Sequence, residues 1–68
     1  MVKVTDLKLN HTDKTAQASL FADTKGEVTS SAEIVGLPEG YTLAAGSSVL
    51  TASGELAFVK SDGTFNWV

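Results

Sequence analysis

The sequence predicts a small all-β domain, and three observations support that fold class. Apolar and polar residues alternate in several short runs, as expected for half-buried strands. Clusters of Gly, Asp, Asn and Ser separate these runs at short intervals. The last part of the chain, residues 46–68, contains three such runs separated by good turn sequences. We therefore expect a small antiparallel sheet, sandwich or barrel-like domain with a C-terminal β-meander.

The first two runs predict an antiparallel hairpin. Apolar and polar residues alternate up to Val4, and the alternation resumes in the opposite phase from Leu7. A slip of this kind predicts a bulge or bend in the first strand. Turn-forming residues then lead to a second alternating run over residues 15–22. Because this run is rich in alanine, which favours helix, a helix over residues 15–23 is the alternative.

The middle of the chain predicts a third strand and a break. Residues 27–35 alternate again and are interpreted as a strand, with one face formed by Val28, Ser30, Ala32 and Ile34. Pro38 lacks an amide hydrogen and lies between two glycines, so it is expected to end this strand. A brief strand is expected at Tyr41 and Leu43.

The C-terminal meander is predicted from residues 47–51, 55–60 and 64–68. The loop Ser61-Asp62-Gly63 is typical of a hairpin in which the glycine adopts the left-handed conformation. Leu56 and Phe58 are expected to point to one face of their strand, with Ala57 and Val59 on the other. Phe65 and Trp67 are expected to share one face of the terminal strand.

Size limits the stability of the fold. Residues 1–68 are predicted to form a single all-β domain, and a chain of this length buries only about 60% of its unfolded surface. Without cysteines it forms no disulfide, so oligomerisation or docking onto a partner is the expected compensation. The predicted core is thin, and its large side chains are Leu7, Leu9, Leu20, Phe21, Ile34, Leu37, Tyr41, Leu43, Leu50, Leu56, Phe58, Phe65 and Trp67.

Charge and hydropathy argue against two classes of partner. The net charge is −3, the five lysines are scattered and there is no arginine, whereas nucleic-acid binding needs clustered cations. We therefore expect no nucleic-acid partner. No run approaches the roughly 20 apolar residues of a membrane span, and the N-terminal residues lack the apolar segment of a signal peptide. We expect no membrane partner and intracellular synthesis.

The polar residues do not form a recognisable catalytic pattern. His11 and Asp13 flank Thr12 in a turn, where they are expected to be exposed to solvent. The carboxylates are spread over turns and polar strand faces, and no nucleophile is accompanied by a base. A single histidine and no cysteine also leave few metal ligands. We therefore expect no enzymatic activity, no cofactor and no metal.

The aromatic side chains are the strongest candidates for a binding role. Tyr41, Phe58, Phe65 and Trp67 are interpreted either as core or as a protein interface, where such residues are enriched as anchors. Trp67 lies next to the last residue, where an isolated strand is expected to fray unless a partner covers it. Aromatic side chains on one sheet face also stack on sugars, which leaves a carbohydrate-binding module open.

Residues 37–68 resemble small proteins encoded among the head genes of tailed bacteriophages. The resemblance rests on turn sequences followed by an aromatic strand, namely Gly46-Ser47, Ser53-Gly54-Glu55 and Ser61-Asp62-Gly63-Thr64-Phe65. It implies a head-decoration or head-fibre component, and it carries no catalytic residue.

The sequence therefore predicts a non-enzymatic structural protein of a phage virion. We expect it to bind the capsid or a neighbouring head protein as an oligomer, and to be located in the virion after synthesis in the host cytoplasm. A cytoplasmic location is expected if the phage interpretation is wrong. The alternative function is a small carbohydrate- or ligand-binding β-module that uses an aromatic face.

Overall fold

In residues 1–29 and 31–68, which the computed structural model describes, seven strands form one sheet. The strands are β1 (Val2–Asn10), β2 (Thr15–Ala22), β3 (Ile34–Val35), β4 (Thr42–Leu43), β5 (Ser48–Thr51), β6 (Leu56–Val59) and β7 (Phe65–Trp67). Their order across the sheet is β3-β1-β2-β5-β6-β7, and β4 also pairs with β2. The predicted all-β class is confirmed.

The sheet is mixed, whereas an antiparallel arrangement was expected. The hairpins β1–β2, β5–β6 and β6–β7 are antiparallel, as predicted for the N-terminal hairpin and the C-terminal meander. The pairs β1–β3, β2–β4 and β2–β5 are parallel. The parallel pairs arise because the segment after β2, which we call the crossing segment (residues 23–29 and 31–40), crosses the sheet before the chain returns to run alongside β2.

The N-terminal hairpin agrees with its prediction. The register of β1 against β2 shifts between Val4 and Asp6, which confirms the expected bulge. Residues 15–22 form a strand and not the alternative helix. Alanine is tolerated there because Ala16, Ala18 and Ala22 face the covered side of the sheet, where small side chains let the crossing segment approach.

The predicted strand over residues 27–35 is wrong for most of its length. A short 3-10 helix spans Lys25–Glu27, and only Ile34–Val35 pair as a strand. The apolar side chains of Val28, Ala32 and Ile34 still pack on the core, so their alternation belongs to a covering segment that pairs as a strand only at Ile34–Val35. Ser30, which belonged to the predicted strand, lies outside the described residues.

The crossing segment lies on one face of the sheet, which we call the inner face. Gly36 has a φ of +98°, and a Cβ built at this position would lie 3.3 Å from the Cβ of Val4. The chain therefore turns sharply and passes close over β1 before it reaches β4. The opposite face, which we call the outer face, has no covering segment among the described residues.

The core on the inner face is thin, as predicted, and is built mainly from alanine and valine. Its buried apolar residues are Val2, Ala16, Ala18, Leu20, Ala22, Val28, Val49, Ala57 and Val59. Leu50 was expected in this core, and Phe58 was expected either in the core or at an interface; both are exposed. The reason is the period of two: in β5 and β6 the smaller neighbours Val49 and Ala57 point inward.

The Ser47 side chain forms hydrogen bonds with backbone groups at the point where β2 changes its pairing partner from β4 to β5. Its side chain is buried, and its Oγ accepts a hydrogen bond of 3.1 Å from the Ala18 amide. The same hydroxyl lies 2.8 Å from the carbonyl oxygen of Ala44 and 3.3 Å from that of Ala16.

Across the described parts of the chain, no helix has the length and apolar character needed to cross a membrane.

Candidate functional site

The four aromatic candidates lie on different sides of the sheet. Phe58 lies on the outer face, opposite Ser48 and Asn66 on the neighbouring strands. Phe65 and Trp67 are half-buried on the inner face and pack against the core. Tyr41 is half-buried beside the crossing segment. They therefore do not form one continuous aromatic surface.

The outer face carries a row of large apolar side chains, which we call the outer stripe and define as Phe21, Leu50, Leu56 and Phe58. The register places Phe21 opposite Leu50, and Leu50 opposite Leu56. Phe58 lies two residues after Leu56 on the same face. Leu50 is 48% exposed and Phe58 is 42% exposed. The outer stripe is thus a continuous apolar patch that crosses three adjacent strands.

Lysines flank the outer stripe. Lys3 lies opposite Phe21, and Lys8 lies opposite Gln17 on the same face. Asp6 lies opposite Ser19 on the same face, so this part of the sheet also carries a carboxylate. In the part of the chain that the structure describes, the ion pairs join the terminal amino group to Asp23 and Glu27, so neither flanking lysine is paired. The apolar patch therefore has cations at its border in a chain of net charge −3.

The inner face contains a shallow groove of about 270 Å³. It lies between the crossing segment and the β6–β7 hairpin, and Ile34, Leu37, Tyr41 and Phe65 form much of its apolar wall. The groove is small compared with ligand pockets, which typically measure about 300–1,000 Å³. It offers few polar groups to orient a ligand.

Two aromatic rings on the inner side are already contacted by lysines. The Nζ atom of Lys25 lies 5.0 Å from the centre of the Trp67 ring. The Nζ atom of Lys14 lies 5.4 Å from the centre of the Tyr41 ring. Such cation–π contacts stabilise the ring positions and occupy a face that a sugar would need for stacking.

His11 and Asp13, considered as a pair from the sequence, have separate partners. The Nδ1 atom of His11 shares a 2.6 Å hydrogen bond with the hydroxyl of Tyr41. The Asp13 carboxylate accepts a 3.1 Å hydrogen bond from the Asn10 side chain. All of these groups are exposed or half-buried and stabilise the β1–β2 turn. Within the described residues, no three His, Cys, Asp or Glu side chains cluster in a way that would hold a metal.

The loop between β6 and β7 contains a carboxylate with a shifted pKa. Oδ1 of Asp62 accepts hydrogen bonds from the Thr64 hydroxyl at 2.6 Å and from the Thr64 amide at 3.0 Å. These bonds, led by the hydroxyl, lower the pKa of Asp62 below its ordinary value of 3.8. Asp62 is exposed and acts as a turn residue, without a neighbouring acid or nucleophile for catalysis.

Sequence reasoning missed the outer stripe, although it included Phe58 as a possible interface residue. The signal was present in β5 and β6, where Val49-Leu50 and Ala57-Phe58 place apolar side chains on both faces. Strands that are apolar on both faces are typical of sheets covered on both sides. Here only the inner side is covered within the described chain.

No protein-family model, no curated protein and no solved structure matches this chain.

Proposed function

We propose that this protein is a non-enzymatic structural component of a tailed-phage virion that binds the capsid or a neighbouring head protein through the outer stripe. The observation that carries the binding role is the row of exposed Leu and Phe side chains on an uncovered sheet face. The virion assignment rests on the resemblance of residues 37–68 to small phage head proteins.

Burial of the outer stripe supplies the driving force for binding. Removing apolar surface from water contributes about 25 cal/mol per Å², and large side chains dominate that gain. Leu50 and Phe58 each keep close to half of their surface in water. Leu50 lies at the centre of the patch, between Phe21 and Leu56, where anchor residues of protein interfaces are concentrated.

The border of the outer stripe indicates the character of a protein partner. A partner that is flat, apolar at its centre and acidic at its border would match both the outer stripe and the unpaired Lys3 and Lys8.

The arrangement gives less support to the carbohydrate-binding alternative. Sugar sites need aromatic rings with a free face and nearby polar groups. Lysines lie over the rings of Tyr41 and Trp67, and Phe58 is on the opposite side of the sheet. Its neighbours across the strands, Ser48 and Asn66, are the only polar groups beside it in the register.

Mass spectrometry of purified virions tests the proposed location. We expect peptides of this chain in particles of the phage that encodes it, in fixed proportion to the major capsid protein. Washing at high salt should leave the protein bound, because apolar burial is not screened by ions. Absence of the chain from washed particles, with its presence in the infected-cell lysate, would contradict the proposal.

A further inference from the structure

We propose that two copies of this protein join edge to edge through β7 and form one continuous sheet across a two-fold axis. This inference names the oligomer contact that the proposed function leaves open, and it rests on that function only in assuming that the chain assembles. The surface involved is the free edge of β7, which is distinct from the outer stripe.

The hydrogen-bond pattern of β7 defines which groups reach that edge. The Val68 N–H donates a hydrogen bond to the carbonyl oxygen of Leu56, and the Lys60 N–H donates one to the carbonyl oxygen of Thr64. In an antiparallel pair, bonded and non-bonded positions alternate. Phe65 and Trp67 are therefore at non-bonded positions, and their N–H and C=O groups point away from β6. No strand pairs with this edge among residues 1–29 and 31–68.

The opposite edge of the sheet is protected, in contrast to β7. The edge of β1 carries a bulge between Val4 and Asp6, and Asp6 accepts a 3.0 Å hydrogen bond from the Leu7 amide. It also carries Lys8 and is partly covered by β3. Bulges, charges and covering segments are the usual devices that prevent edge pairing. β7 (Phe65–Trp67) is short, which is itself one such device, but it carries neither a bulge nor a charged side chain.

A second copy of β7 is the occupant that fits this edge. An antiparallel pairing centred on Asn66 places Phe65 opposite Trp67 of the second copy, at positions where both residues direct their backbone groups outward. Four backbone hydrogen bonds then form, and the two aromatic pairs lie side by side on the inner face. Residues 64–68 carry no charged side chain, so no like-charged side chains face each other across this pairing.

The two-fold axis of this pairing is perpendicular to the sheet. Both outer stripes therefore face the same way, and the joined sheet presents twice the apolar face to a partner. Because each contact with a partner is then made twice, the dimer would bind a repeating capsid surface more tightly than one copy does.

Substitutions at the two-fold axis test this pairing. Asn66 is exposed and would lie opposite Asn66 of the second copy, so Asn66→Asp brings two carboxylates together. Gln17→Glu is the matched control, because it adds the same charge to the exposed side of β2, away from β7. Analytical ultracentrifugation of the purified chain should give twice the 7.1 kDa monomer mass. Asn66→Asp should weaken the dimer by about tenfold or more, and Gln17→Glu should leave it unchanged.

Amide exchange measured by NMR identifies the contact independently of mass. The Phe65 and Trp67 amides should be protected at high protein concentration and lose that protection on dilution. The Asn66 amide, which points toward β6, should be protected at both concentrations. A wild-type chain that stays monomeric at millimolar concentration would overturn the inference, as would a dimer that Asn66→Asp leaves intact. A dimer that fails to bind virions would instead count against the proposed function.

Discussion

Ser47 shows how a single hydroxyl completes a sheet with a change of strand partner. At this point β2 leaves β4 and begins to pair with β5, so one amide of β2 has no backbone acceptor. The Ser47 Oγ accepts a hydrogen bond from this amide, which belongs to Ala18, and Ser47 is only 1% exposed. A buried amide without an acceptor would be costly, which explains a polar residue inside an apolar core.

Ser47→Ala should lower the free energy of unfolding by about 1–3 kcal/mol, because it leaves the Ala18 amide buried without an acceptor. Urea unfolding followed by circular dichroism measures the loss. Ser61→Ala is the control, since Ser61 is exposed in a loop and should change stability little. Equal stability of the two variants would show that water or a backbone shift replaces the Ser47 hydroxyl.

Gly36→Ala should also destabilise the fold, by about 1–2 kcal/mol from the left-handed backbone alone. Its φ of +98° is unfavourable for alanine, and the new methyl group would press on Val4. Gly26→Ala is the matched control, because nothing lies within 4 Å of the added methyl group. Thermal unfolding of the two variants compares them directly. A Gly36→Ala protein as stable as Gly26→Ala would contradict the close crossing of the inner face.

The strands and turns differ in how far the sequence could predict them. The β6–β7 hairpin was predictable because local chemistry determines it: Gly63 has a φ of +85°, and Asp62 caps the turn. The segment over residues 27–35 was not predictable, because alternation reports which side chains are buried and not whether the backbone pairs. Ser47 was likewise assigned to a strand, since its role depends on a partner change between distant strands.

The turn between β6 and β7 makes a prediction about pH. The pKa of Asp62 is lowered chiefly by the Thr64 hydroxyl, so this carboxylate contributes stability above pH 3.8. That contribution is lost as the pH falls through the lower folded-state pKa. Thr64→Val should raise the pKa of Asp62 toward 3.8, as measured by NMR titration of the carboxyl carbon. Ser61→Ala should leave the lowered pKa in place, and a Thr64→Val pKa that stays equally low would contradict this role of the hydroxyl.

At the scale of the whole molecule, one face of the sheet is covered, and the other is uncovered among the described residues and carries the apolar outer stripe. The sequence indicated many apolar strand residues but not which face would be covered, because β5 and β6 are apolar on both sides. It placed Leu50 in the core and left Phe58 open between core and interface, whereas the smaller residues Val49 and Ala57 occupy the core. The crossing segment packs on the face that carries the small side chains, so a long-range contact determines which face of β5 and β6 is buried. Such a contact leaves no local pattern in the sequence.

Tryptophan fluorescence distinguishes the two function classes at this scale. Trp67 is the single tryptophan, and Lys25 lies over its ring. Titration with simple and polymeric sugars should therefore leave the emission unchanged. Lys25→Ala should shift the emission without creating sugar binding. Saturable quenching by a sugar that Trp67→Phe removes would instead support the carbohydrate-binding module.

Binding of outer-stripe variants to capsids of the phage proposed to encode the chain is the most direct test of the central claim. Phe58→Ser and Phe58→Leu change the same exposed position, and the circular dichroism spectra of both should show the wild-type fold. In co-sedimentation with capsids that lack this protein, wild type and Phe58→Leu should pellet. Phe58→Ser should lose about tenfold or more in affinity, because it removes the apolar anchor of the stripe. Equal pelleting of Phe58→Ser and Phe58→Leu, or no pelleting of the wild type, would contradict the account.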